Sequence, residues 1–230
     1  MSHGMSEPKL NRAAIIDTAI ALADEEGLDA LSMRRIADRL GVGAMSLYRH
    51  VANKDELLEA MTDEVARRNP YPSAEGQQWT WRDRVRIAAE IDWALYQQHP
   101  WVLLTFATPR YSFGPQSLAC LAWMVEGFAE LDVSTREATT MAFAVWNHIS
   151  GATLPHISAA LMARKGMNPE GDNGLRTMLK GKSQLPVPSA LADLEGSGIN
   201  DLSQEDLLYA GLAALCDGFE IRARQRADLT

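Results

Sequence analysis

The spacing of Ala37, Gly41 and Leu47 constrains this chain of 230 residues more than any other feature. Two helices that cross near a right angle approach closely, so the first must offer a small side chain at the crossing, here Ala37. The tight connection then needs a positive φ, which Gly41 adopts without steric cost. Leu47 from the second helix drops into the gap beside Val42 and Val51. Ser32 is placed to cap the first helix, which carries Ile36, Ala37 and Leu40 and is broken by Gly41-Val42-Gly43. The second helix is expected over 44–51, with Ala44, Met45, Ser46, Tyr48, Arg49 and His50 facing outward.

That outward face is not an ordinary solvated one, which would more often carry Glu and Lys. The chain as a whole has a net charge of −8, which speaks at first against a polyanionic partner. Yet residues 31–54 hold Arg34, Arg35, Arg39, Arg49 and Lys54 against Asp38 alone. The acids cluster on either side, at Asp17, Asp24, Glu25, Glu26 and Asp29 and again at Asp55, Glu56, Glu59, Asp63 and Glu64. A basic island in an acidic molecule aims binding at one face and limits indiscriminate adhesion. Lys54 sits in the first turn of the next helix, where a cation opposes the helix dipole; beside a phosphate the placement makes sense. Any helical hairpin can show this Ala-Gly-Leu spacing, but the outward Tyr48, Arg49 and His50 favour a helix that enters the major groove of DNA.

The rest of the chain predicts an all-α fold, because β-branched alternation between Asn-Gly or Asp-Gly turns is missing. Residues 1–9 are set aside as a disordered tail or tag remnant. Asn11 can cap a first helix bearing Ile15, Ile16, Ala19, Leu22 and Ala23, with Gly27 after its end. Asn53, with Glu56 three residues on, opens a fourth helix that Asn69-Pro70-Tyr71-Pro72 stops. The expected division is a three-helix DNA-binding unit with its following helix over 10–68, then a larger ligand-sensing and dimerisation domain over 69–230. In the second part, helices are predicted over 79–98, between Pro100 and Pro109, and over 115–131. A long one runs over 134–165, kinked at Pro155, and a last one over 203–224. Residues 166–200 read as a long connection rich in Gly, Pro, Ser and Asn.

The two last helices are apolar on more than one side. Ala138, Met141, Val145, Ile149, Ala152, Ala159 and Ala163 form one stripe, and Phe143, Asn147, Ser150, Leu154, Ile157 and Leu161 another. In the final helix Leu208, Leu212, Leu215 and Phe219 stand beside Ala210, Ala214, Gly218 and Ile221. Burial on two sides predicts a twofold homodimer built by these helices, against the alternative of a central core helix in a monomer. All six tryptophans fall between 79 and 146. Most large aromatics fill cores, but polar residues among aromatic walls also describe a small-molecule pocket. Its expected lining is Trp93, Trp101, Phe106, Trp123, Trp146, Asn147 and His148. His148 and His156 are two turns apart without a nearby Cys or carboxylate, so no metal is expected, nor any cofactor. Cys120 and Cys216 are expected in core packing rather than a disulfide.

The segment Leu31-Ser-Met-Arg-Arg-Ile-Ala-Asp-Arg-Leu-Gly-Val-Gly-Ala-Met-Ser-Leu-Tyr-Arg-His-Val-Ala-Asn-Lys-Asp-Glu-Leu-Leu58 resembles the DNA-binding segment of the tetracycline-repressor (TetR) family. The Glu-Glu-Gly-Leu-Asp-Ala-Leu stretch before it extends the likeness over about residues 10–68. Leu95-Tyr-Gln-Gln-His-Pro-Trp101 and Gly114-Pro115 resemble the sensor half of the tetracycline-repressor-like branch more loosely. The resemblance implies that Ser32, Arg34, Gly43, Ala44, Met45, Ser46, Tyr48, Arg49, His50 and Lys54 meet DNA. Tyr48, His50 and Lys54 would grip phosphates, while Arg34, Met45 and Ser46 would meet base edges. Ala44 stands where the tetracycline repressor carries Gln, so the operator should differ.

The resemblance further implies a ligand-responsive repressor that binds a palindromic operator as a dimer and leaves it when a mostly apolar or aromatic small molecule binds. Activation instead of repression would depend on where the operator lies. An enzyme is the competing class, but no nucleophile-base set, phosphate loop or metal set stands out; a protein-interaction adaptor is the third. With 47% hydrophobic and 23% charged residues and no membrane-length apolar run, a cytoplasmic globular protein is expected.

Overall fold

Asn11 accepts a 2.8 Å hydrogen bond from the Ala14 backbone N–H and starts α1, Arg12–Glu26. The computed structural model describes residues 10–164, Ser189 and 203–228. Among them the elements are helices and short 3₁₀ turns, with no strand. The expectations for residues 1–9 and, apart from Ser189, 166–200 lie outside the described residues, as do the side chains of His156, Ala159, Leu161 and Ala163.

Ser32 caps α2, Met33–Leu40, by accepting from the Arg35 backbone N–H. Gly41 then takes the left-handed conformation, with φ 68° and ψ 28°, that the tight connection requires. Helix α3 covers only Ala44–Leu47, not the expected 44–51. The chain stays wound beyond it, since the backbone N–H groups of His50 and Val51 both donate to the Leu47 carbonyl. It must then unwind so that Asn53 can turn extended and accept from Glu56 N–H, which starts α4, Lys54–Arg68. Glu56 reaches back to the Ala52 N–H at 2.7 Å. Ile15, Ala19, Ile36, Ala37, Leu47, Val51, Leu57 and Met61 form the core of this first unit, each at most 1% exposed. Leu47 fills the crossing as its spacing predicts.

Helix α5, Trp81–Gln98, begins at a reciprocal Thr80–Asp83 capping box, two residues later than expected. The helix expected between Pro100 and Pro109 is two: α6, Val102–Phe106, and α7, Pro109–Ser112. Pro109 opens α7 instead of closing α6, because a first helical position needs no N–H. Pro115 opens α8, Pro115–Phe128, in the same way, and a 3₁₀ turn completes the expected span to Leu131. Helix α9, Thr135–Arg164, runs through Pro155 without ending. Helix α10, Gln204–Ala227, starts at a Ser203–Asp206 capping box.

Helices α9 and α10 pack along each other, burying Met141, Val145 and Ile149 against Leu208, Leu212 and Phe219. The His148 ring lies over Gly211, with Nε2 3.0 Å from the Leu208 carbonyl oxygen. A β-carbon at Gly211 would overlap that ring. Arg82 on α5 ties α10 through Asp217 and Glu220, and Arg226 pairs with Glu137 of α9.

Candidate nucleic-acid interface and ligand cavity

The capped α2, the Gly41 turn and the short α3 leave one face of the first unit open. On it Ser32, Arg34, Gly43, Met45, Tyr48, Arg49 and Lys54 are exposed, and Ala44, Ser46 and His50 are half-buried. Met45, at 79% exposure, is the most exposed of the large apolar residues among those described. Water gives no reason to hold a methionine there; a groove containing thymine methyls does. The five cations divide into two sets. Arg35 pairs with Glu26 at 2.7 Å and Arg39 with Glu25 at 2.6 Å, so both reinforce the contact of α2 with α1. Arg34, Arg49 and Lys54 have no ion pair among the described residues and remain available to phosphates and base edges. Ser46 donates to the Gly43 carbonyl at 2.6 Å, so its hydroxyl keeps acceptor capacity toward a base.

Three aspartates join this unit to the second one, and sequence reasoning missed them. Asp24 of α1 accepts from the Trp101 indole at 2.7 Å and lies 2.8 Å from His99 Nδ1. Asp55 of α4 accepts from Tyr111 of α7 at 2.9 Å and pairs with Arg110. Asp63 accepts from the Gln116 backbone N–H at 2.9 Å, so a carboxylate on α4 caps α8. Gly114 permits that approach, because a β-carbon there would overlap the Asp63 carboxylate.

Behind the junction lies a cavity of about 300 Å³, at the lower end for small-molecule sites. Helix α4 contributes Ala66 to it, and Asn69 follows from its C-cap; α5 contributes Asp92, Leu95 and Tyr96. The α6–α7 segment supplies Phe106, Ala107, Pro109, Ser112 and Phe113. Ser117 and Cys120 come from α8, and Phe143, Trp146, Asn147 and Ser150 from α9. Tyr71 donates to Asp92 Oδ2 at 2.9 Å and accepts from Trp146 Nε1 at 3.0 Å. Burial pushes the Asp92 carboxyl up to about 7, with the Tyr71 hydrogen bond opposing the rise.

Phe106, Trp146 and Asn147 thus line the cavity, whereas Trp93, Trp101, Trp123 and His148 do not. Trp101 is 2% exposed and bound to Asp24 across the junction. Trp123 stacks edge-on with Tyr71 and Trp79 and sits under Arg84. His148 is held against α10, and Trp93 packs on the core. Asp92 could have been found: it follows Val85, Ala88 and Ala89 on the buried stripe that ends in Leu95 and Tyr96, a core register with a carboxylate in it.

Comparison with known proteins settles the family. The family model of bacterial regulatory proteins, tetR family, matches residues 15–61. The HTH-type transcriptional repressor DrrR1 of Streptomyces coeruleorubidus is 30% identical over 227 residues, covering 96% of this chain and 81% of that one. The chain belongs to the TetR family. The class D tetracycline repressor protein of Escherichia coli is 42% identical over 73 residues, covering 31% of this TetR-family chain and 34% of that one. The crystal structure of Streptomyces coelicolor ActR in complex with actinorhodin matches with a TM-score of 0.74 and 25% identity. That match covers 94% of this chain and 99% of ActR. The likeness to the tetracycline repressor thus spans under a third of the chain, while the likeness in helical architecture extends over nearly all of it.

Proposed function

We propose that this TetR-family chain is a ligand-responsive transcriptional repressor that holds a palindromic operator as a homodimer and releases it when a small molecule fills the cavity. The observation that carries this reading is the unpaired set Arg34, Arg49 and Lys54 sharing one open face with Met45 and Tyr48. Arg49, Lys54, Tyr48 and His50 are assigned to phosphates and Arg34, Met45 and Ser46 to base edges. Ser32, Gly43 and Ala44 bring the backbone close.

The dimer reading is supported by an exposed stripe on α10. Leu207, Ala210, Ala214, Gly218 and Ile221 recur at helical spacing, and Leu207 and Ile221 are 46% and 54% exposed. Leu154 and Met162 extend the apolar surface on α9. Small residues allow a second helix pair to approach closely, and a twofold pairing would set two reading faces about 34 Å apart, one DNA turn. Among the described residues no helix is long and apolar enough to cross a membrane, and a cytoplasmic place of action fits this role.

Coupling follows from shared walls. The α6–α7 segment and the end of α4 line the cavity; Asp55 binds that segment, and Asp63 the start of α8, to the helix that carries Lys54. A ligand that reshapes the segment moves α4 and alters the spacing of the reading faces; 1–3 kcal/mol of coupling is typical. Relatives support the ligand half of the reading, since ActR has been crystallised with actinorhodin and with (S)-DNPA. The test begins with inverted repeats in the DNA flanking the coding region. A labelled duplex carrying such a repeat should bind the dimer far more tightly than a scrambled duplex at the same salt. Equal affinity for both would remove the repressor reading.

A further inference from the structure

One side chain gives the cavity a chemical bias. Asp92 lines it, and among the described residues no Lys, Arg or His does. Its Oδ2 is occupied by the Tyr71 hydroxyl, but no hydrogen bond or ion pair reaches Oδ1 from the described residues. A carboxylate among apolar neighbours is costly without a counter-charge, and this one has none among the described residues. The raised Asp92 carboxyl agrees with that geometry.

The surroundings are aromatic. Tyr96 and Phe106 meet edge to face with centroids 6.3 Å apart, and Phe143 and Trp146 do so at 5.8 Å. Such rings accept a flat apolar skeleton, and their faces attract a cation. Ser117 Oγ, on the same wall, is buried without a hydrogen-bond partner among the described residues and offers a neutral polar contact.

We infer that the cavity is built for a flat aromatic compound carrying a protonated amine, with Asp92 Oδ1 as its counter-ion. The inference rests on the effector reading above and gives it a ligand class. An ammonium group turns a half-buried carboxylate into a pair, and the aromatic faces replace part of the water that the amine gives up. An anionic ligand meets like charge, and a neutral one leaves the carboxylate uncompensated.

Calorimetric titration of the full chain at pH 7.5 with three probes of one shape tests this: 1-naphthylmethylamine, 1-naphthylmethanol and 1-naphthoate. The amine should bind at least about tenfold more tightly than the alcohol, and the naphthoate most weakly. In Asp92→Asn the amine should fall to within about twofold of the alcohol. Equal affinity of amine and alcohol, no amine binding at millimolar concentration, or a preference that survives Asp92→Asn overturns the inference. Should Asp92→Asn fail to fold, the wild-type ranking decides alone. Operator release is scored separately. Amine binding through Asp92 without release leaves the cavity chemistry standing and defeats the effector reading. Release by alcohol and amine alike does the reverse.

Discussion

Tyr111 donates a 2.9 Å hydrogen bond to Asp55 Oδ1, and Arg110 pairs with the other oxygen of the same carboxylate at 2.9 Å. One side chain in the first turn of α4 therefore holds two from α7, a helix that also walls the cavity. Asp55→Asn should loosen α7 while leaving the first unit folded. Backbone amides of residues 110–112 should exchange several-fold faster, with the slowest amides of α4 unchanged. Unaltered exchange at 110–112 would mean that other contacts hold the junction.

The two sets of cations separate cleanly in a binding assay. Arg49→Ala or Lys54→Ala should weaken all duplexes alike and lower the slope of log affinity against log salt by about 1 per lost phosphate contact. Arg34→Ala should in addition flatten the preference among base pairs. Arg39→Ala removes a side chain already committed to Glu25, so operator affinity should stay within about twofold at moderate salt. A loss at Arg39 as large as at Arg49 would contradict the division.

These expectations show where the sequence was legible and where it was not. Ala37, Gly41 and Leu47 have no freedom in a tight crossing, so their spacing alone placed the hairpin. Caps at Asn11, Ser32 and Asn53 located three helix starts, because an unsatisfied backbone N–H has few remedies. The cavity was harder. Trp101 and Trp123 have the composition of a ligand wall, but they serve the junction and the α8 packing. Composition cannot say which side of a helix meets a void. Asp92 was the better signal, a charge in a core register with no basic partner nearby in sequence.

Close approach at the α9–α10 contact predicts a size limit. Gly211→Ala places a methyl where the His148 ring lies and breaks the contact of Nε2 with the Leu208 carbonyl. Thermal unfolding should report a loss of roughly 1–3 kcal/mol. Adding His148→Ala should return part of it, giving a non-additive pair. Additive losses would place the ring elsewhere.

The Asp92 carboxyl gives the fold a pH dependence of known sign. Its proton is held more tightly in the folded chain, where the carboxyl is pushed up to about 7, than in the unfolded one. The resulting stabilisation is complete below about pH 4 and is lost as pH rises through about 7. Tyr71, Tyr96 and Cys120, which face it, are all raised by burial and stay protonated across this window. At 1.4 kcal/mol per tenfold the ceiling is about 4 kcal/mol, and water in the cavity reduces it to roughly 1–2. Denaturant titrations at pH 5 and pH 8 should show Asp92→Asn with a smaller drop than the parent over that interval. Identical drops would place the carboxyl in bulk water.

Helix α4 has Lys54 at one end and Ala66 at the cavity at the other. Its 15 residues make a stiff rod of about 22 Å. A tilt of only about 5° around the cavity end would sweep the far end through roughly 2 Å. That displacement is enough to pull an ammonium off a phosphate. The geometry acts as a lever arm with mechanical gain, so an effector need shift its own walls by only a fraction of an ångström to be felt at the double helix.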